Sequence, residues 1–251
     1  MSTANILETT EHRPWPLAAG HWAIRMRWTN LLFAHWPVPA SKIAPLLPSG
    51  FAVDTYNGDA WVGVVPFRME EVQLRGLPRM PGANLFAEAN VRTYVRDKTS
   101  GDHGVYFFSL DANNPLAVIA ARLWYHLPYY FASMKITGGE EGWYYRSRRL
   151  FARRPARLEV HYKSTDQKLP VSKPGTIEYF LTERYALFTH SRRNLIRGDI
   201  HHLSWPLEHA EAEFQRETLA AAQDIALPNR EPILHYAKQL DVFAWPPRAI
   251  R

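Results

Sequence analysis

Residues 110–135 read LDANNPLAVIAARLWYHLPYYFASMK, and the order of elements in this stretch decides what kind of chain it is. An apolar helix pattern over residues 116–125 carries a single charge, Arg122. It stops at Leu127-Pro128, because proline has no N–H to donate and restricts the residue before it. Two tyrosines follow, Tyr129 and Tyr130, and then a small-residue strand at 133–137 that carries Lys135. Upstream, residues 104–110 (GVYFFSL) have the aromatic and β-branched make-up of a strand. The helix is therefore an insertion between strands.

The rest of the chain repeats that character. Residues 51–55 lead into Asn57-Gly58, a strong hairpin signal. Residues 60–72 form the returning strand, with Pro66 marking an edge or a bulge. Residues 86–96 (FAEANVRTYVR) alternate apolar and polar side chains, as a half-buried strand does. Further strands are expected at 143–148, 158–163, 186–191, 196–204 and 234–244, and further helices at 40–47, 177–184 and 207–222. That pattern predicts a mainly β (α+β) fold, an antiparallel β-barrel-like core with a few inserted helices rather than alternating βαβ units. Residues 76–85 (GLPRMPGANL) join two strong strands and have the length and composition either of a loop that covers a site or of a plain connector.

A chain of 251 residues has room for two average domains, but barrels of this size form one, so a single domain over 1–251 is expected, with 1–20 as a flexible N-terminal segment. There is no cysteine, which excludes disulfides, thiolate nucleophiles and thiolate metal sites. No apolar run approaches the ~20 residues of a membrane-spanning helix, and the first residues lack the apolar core of a signal peptide, so no membrane partner and a cytoplasmic location are expected. The net charge of +6 comes from 23 Arg and 7 Lys against 24 acidic residues. The basic residues concentrate at 146–157 (RSRRLFARRPAR) and 192–197 (RRNLIR). No helix-turn-helix, zinc-finger or RNP pattern accompanies them, so nucleic acid is not favoured as a partner. A solvated rim, or a basic mouth that attracts a small anionic molecule, remains.

Several motifs together carry a resemblance to a known family: WTNLLFAHWPVPASKIAPLLPSGFAVDTYNGDAWVGVVPFRM, FAEANVRTYV, GVYFFSLDA, FLTERYALF and the Trp205-Pro206 pair. On these the chain is identified as a member of the YqjF-like family of unknown function, within the acetoacetate decarboxylase-like superfamily. The match runs from about Trp28 to Pro246. The decarboxylase itself is matched over less, residues 86–135 and the helix before Leu47-Pro48. The resemblance implies a β-barrel-like core with a partly apolar pocket for a small oxo-acid, no cofactor, and a homo-oligomer as an open state. In an ungapped count Arg122, Pro128 and Lys135 fall on matching residues. The family's two lysines fall on Tyr129 and Tyr130. A Schiff base needs an amine, so the usual decarboxylation route is excluded at those positions. A phenol can still hold or move a proton.

Candidate site residues follow from the resemblance and from side-chain chemistry. Glu88 is similar in position to a glutamate of the decarboxylase pocket. On a strand it shares a face with Asn90 and Arg92, opposite Ala87, Ala89 and Val91. If that face is interior, a carboxylate, an amide and a guanidinium converge, and Glu88, Tyr129 and Tyr130 become acid–base candidates. Arg92 and Arg122 are the cations for a substrate carboxylate; Arg122 alternatively pairs with Asp111 or Glu88. His35 and His126 are proton shuttles or hydrogen-bonded structural histidines. Lys135 is the one amine able to swing in from the next strand. Asp199 and His201 share a strand face, but two such residues without a helical HExxH partner do not make a metal expectation. Three readings stand at this point: an enzyme without a Schiff-base lysine, a pocket that binds without turnover, and a basic interaction protein with a vestigial pocket.

Overall fold

The structure, a computed structural model, describes residues 3–78, 84–139, 141–191 and 194–250. Residues 79–83 of the loop expected to cover a site, and Arg192 and Arg193 of the second basic cluster, lie outside the described residues.

Strands dominate, in the order β1 Ile24–Val38, β2 Phe51–Val53, β3 Ala60–Leu74, β4 Phe86–Asp97, β5 His103–Ala112, β6 Tyr129–Gly139, β7 Gly142–Arg149, β8 Arg157–Lys168, β9 Ala186–Ser191, β10 Asn194–His201, β11 Leu207–Glu217, β12 Ile233–Ala244 and β13 Arg248–Ile250. The helices are short: α1 Thr3–Glu8, α2 Ala40–Ile43, α3 Pro115–Ala120 and α4 Ile177–Thr182. All strands belong to one sheet, and its pairings run in rings. From β4 the ladder passes through β5, β6, β7, β8, β11, β12, β1 and β3 back to β4. A second circuit leaves β5 through β9 and β10, rejoins at β12, and returns by β1 and β3. The strands β12, β1, β3, β4 and β5 are therefore a wall common to both rings.

Because successive side chains of a strand point to opposite faces, this wall serves two cores at once. On β4, Ala87, Ala89 and Val91 pack with Tyr145, Leu158, Val160 and Tyr162 inside the first ring. Phe86 and Tyr94, on the other face, pack with Phe33, Phe67, Phe107 and Trp205 inside the second. Most pairings are antiparallel, but β5 runs parallel to both β6 and β9. Those parallel joins need crossovers, and the first of them contains α3. The side chain of Asn114 accepts from the Leu116 and Ala117 amides at 3.0 and 3.2 Å and so starts α3. The helix continues as a wider π-type turn, Ala121–Tyr125, and ends at His126 in the left-handed region.

Three sequence expectations change. Residues 207–222 were expected to be helical, but β11 occupies most of them. Ala and Glu favour helices. Yet Ala210, Ala212 and Phe214 pack on the first core while His209, Glu211 and Glu213 are exposed, a period of two that fits a strand. The long strand β1 was not recognised among the expected elements. Finally, residues 3–20 do not trail free. Ile6 is buried, and Arg13 donates to the Ile200 carbonyl at 2.9 Å and stacks over the Tyr185 ring.

Candidate functional site

A cavity of about 300 Å³ lies inside the second ring. Its wall is largely apolar, with Trp28, Phe33, Phe67, Phe107, Ile200 and Trp205 among the contributors. Polar groups enter from β4, where Glu88, Asn90 and Arg92 project at every second residue, and from the far side, where Thr182, Arg184 and His202 do. Tyr129, the first residue of β6, completes this set.

Glu88 is buried and accepts a 2.6 Å hydrogen bond from the Tyr129 hydroxyl. Burial pushes its carboxyl up to about 7, the Tyr129 and Asn90 hydrogen bonds pull it back, and the charge of Asp111 adds to the rise. Burial, with the Glu88 charge beside it, holds the Tyr129 phenol well above its ordinary value. Tyr129 is therefore a donor across the accessible pH range, and Glu88 is the group that changes protonation near neutrality.

Arg92 is also buried. It donates to the Leu181 carbonyl at 3.2 Å and to the Tyr94 hydroxyl at 3.4 Å, and it lies over the Phe33 ring. Its Nε has no partner, and among the described residues it forms no ion pair. Arg184, on the same cavity, differs, since its guanidinium is bound to Asp54 at 2.8 Å. His202 donates from Nδ1 to the Leu203 carbonyl at 2.7 Å and stacks on Tyr185. Burial holds it neutral by lowering its basicity.

The other candidates are placed differently. Tyr130 points away from Tyr129, as alternation requires, and its ring covers the Arg149 guanidinium at 3.9 Å. Arg149 in turn grips Asp111 at 2.6 Å, a fully buried pair inside the first ring. Arg122 therefore pairs with neither Asp111 nor Glu88. It is exposed, lies outside the cavity, and reaches only the rim of the Tyr130 ring at 5.7 Å. His126 is exposed in the left-handed turn after α3, where its carbonyl accepts from Thr189 at 2.9 Å. Lys135 is on the outer surface of β6, facing Arg146 of β7, so it does not swing into the cavity. His35 is fully buried behind the cavity wall, hydrogen-bonded to Tyr94 at 2.7 Å. Burial and Arg92 keep it neutral. Asp199 is held by Arg197 at 2.8 Å, and His201 by the Ile6 carbonyl at 2.7 Å, so both are occupied by protein partners.

Sequence reasoning missed Arg184 and Thr182 as cavity residues and considered His202 only as a metal ligand. The charged pair Glu183-Arg184, directly after the apolar turn of α4, was the available signal. Among the described residues no lysine lines the cavity.

The double-ring sheet with its inserted helix defines a protein of acetoacetate decarboxylase-like fold. Two solved structures of similar shape agree. Acetoacetate decarboxylase from Legionella pneumophila superposes with a TM-score of 0.63 at 12% identity, covering 100% of this chain and 96% of that one. An acetoacetate decarboxylase-like enzyme from Sphingomonas wittichii gives 0.61 at 13% identity, over 92% and 94%. By sequence, the chain belongs to the DUF2071 family, described as "Uncharacterized conserved protein", whose model matches residues 25–241. It is 45% identical over 234 residues to the uncharacterized protein YqjF of Bacillus subtilis, covering 91% of this chain and 93% of that protein.

Proposed function

We propose that this chain is an acid–base enzyme acting on a small carboxylic acid held in the cavity, without a covalent imine. The observation that carries the reading is the pairing, in one cavity, of a buried arginine with no carboxylate partner among the described residues and a buried carboxyl pushed up to about 7. An uncompensated charge costs several kcal/mol to bury, so Arg92 is a natural seat for an anionic ligand group. A general acid or base works best when its own titration lies near the working pH. Glu88 meets that condition, with Tyr129 fixing its orientation. In this reading Glu88 gives a proton to the bound molecule or takes one from it, Asn90 supplies a neutral contact between the two charged groups, and the apolar wall excludes water.

The two similar solved structures are an acetoacetate decarboxylase and an acetoacetate decarboxylase-like enzyme, and the family resemblance implies lysine chemistry for them. Here tyrosines stand at those positions and lysine is absent from the described cavity wall. Borohydride reduction in the presence of acetoacetate should therefore leave the protein mass unchanged; an adduct on any lysine would overturn the imine-free reading. A thermal-shift screen of small carboxylates supplies the ligand. A bound acid at 100 times its Kd should stabilise the fold by ~2.7 kcal/mol, and Arg92→Met, if folded, should lose the response. With that ligand, Glu88→Gln should hold affinity within a few fold and lose turnover by roughly 10²–10⁴. Unchanged turnover would remove Glu88 from the chemistry. Binding with no turnover in the parent protein would leave a binding module.

A further inference from the structure

The charged groups of the cavity all lie deep, set among buried apolar side chains such as Phe33 and Phe67. Glu88 and Arg92 are buried at 2% and 8% exposure, whereas Leu77, Leu116 and Trp124, which also line the cavity, are exposed at 50%, 59% and 40%. The cavity therefore keeps its charged groups in a mixed interior and has an apolar mouth, the reverse of an entrance built for a small hydrophilic acid. A protein exposes large apolar side chains next to a cavity at a cost in solvation, and ligand-binding grooves are one recognised reason.

Size points the same way. A cavity of about 300 Å³ is twice the roughly 150 Å³ apolar void that holds one benzene molecule. A two- or three-carbon acid would leave much of it empty. Spacing on β4 adds a further constraint. Glu88 and Arg92 are four residues apart, about 13 Å along a strand. Their side chains also part: Arg92 leans to Tyr94 and the Leu181 carbonyl, Glu88 to Tyr129. A molecule that meets both must be extended.

We propose that the ligand is an amphipathic carboxylic acid of roughly ten or more heavy atoms, with its carboxylate at Arg92 and an aliphatic or aromatic body running past Glu88 to the mouth formed by Leu77, Leu116 and Trp124. This rests on the preceding assignment of Arg92 to a carboxylate and extends it to the rest of the molecule. The apolar mouth admits the body last, so the head enters first and the tail closes the opening behind it.

The test is calorimetric titration of the full chain with butanoate, hexanoate, octanoate and 3-phenylpropanoate, with octan-1-ol as the uncharged control. Each added methylene should lower Kd by about fourfold until the cavity is full, and octanol should bind at least tenfold more weakly than octanoate. A flat series, with butanoate as tight as octanoate, would overturn the amphipathic ligand while leaving the carboxylate seat intact. Octanol equal to octanoate would instead overturn the seat at Arg92, and the proposal with it; so would a complete lack of binding by the acids. Ala117→Phe fills the channel below the mouth at a half-buried position that lines the cavity. It should weaken octanoate at least tenfold and change butanoate by less than twofold. Equal loss of both, or loss of neither, would show that the body does not take this path.

Discussion

The two rings share five strands yet differ in what they enclose. One is solid: Ala87, Ala89 and Val91 of β4 meet Leu158, Val160 and Tyr162, all buried. The other is hollow, and the same strand turns Glu88, Asn90 and Arg92 into it. The contrast shows how one strand can build a packed core with its odd-numbered side and line a polar part of a cavity with its even-numbered side. Small residues on the odd face let β4 pack tightly, and that rigidity holds the buried polar groups of the even face in place. The polar face could not stand alone, since burying Glu88 and Arg92 costs free energy that the solid core must offset.

The sharpest way to test the contrast is to remove the same group from each ring. Leu158→Ala, in the solid core, should cost ~5 kcal/mol, and Leu110→Ala, which lines the cavity, ~3, within the measured range for such deletions. A side chain already beside a void has fewer contacts to lose. Urea denaturation of both variants measures the difference, and an equal or inverted cost would mean that the second ring is not hollow in solution.

A second measurement uses pH. The Glu88 carboxyl titrates at about 7 when folded and near 4.5 ordinarily. Between those values the unfolded chain releases a proton that the folded chain keeps, so this group's contribution is fully present below pH 4.5 and is lost as pH rises through about 7. The loss is on the order of 3 kcal/mol. Glu88→Gln has no such proton, so the variant should gain on the parent protein across this window and run parallel to it outside. Parallel stability profiles throughout would place Glu88 in contact with water.

The smallest effect is expected at Arg122. Because it is exposed and forms no ion pair among the described residues, Arg122→Ala should change stability by no more than ~0.5 kcal/mol and leave carboxylate binding unaltered. Loss of binding would bring Arg122 back into the site.

The wall strand β4 was legible in the sequence because alternation is a local signal, whereas its neighbour β1 was not recognised. FAEANVRTYVR shows its two faces without any knowledge of what packs on them. β11 was not legible, since Ala and Glu carry a helix propensity that outweighs its equally regular alternation until β8 and β12 are present to pair with it. At the site, Glu88, Arg92 and Tyr129 could be picked out from the strand pattern and the family resemblance. Arg184 and His202 could not, because they reach the cavity only through the non-local pairing of β9 and β10 with the wall. Arg122 attracted attention as the lone charge on an apolar helix. That logic assumes apolar means buried, and here Leu116, Ile119 and Leu123 of the same segment are exposed. Composition gives a helix its hydrophobicity, but only the fold decides which way it faces.

The beginning of the chain has a practical bearing on all of these experiments. The Ile6 carbonyl pairs with the His201 ring, His12 reaches the His202 carbonyl at 2.7 Å, and Arg13 holds Ile200 and the His201 ring. Residues that sit nearly two hundred positions earlier thus brace, from outside, the strand end whose inner side presents His202 to the cavity. A protease nick or a shortened expression clone that removed the first fifteen residues would unfasten that brace. It would slacken the back of the cavity without touching a single residue that lines it.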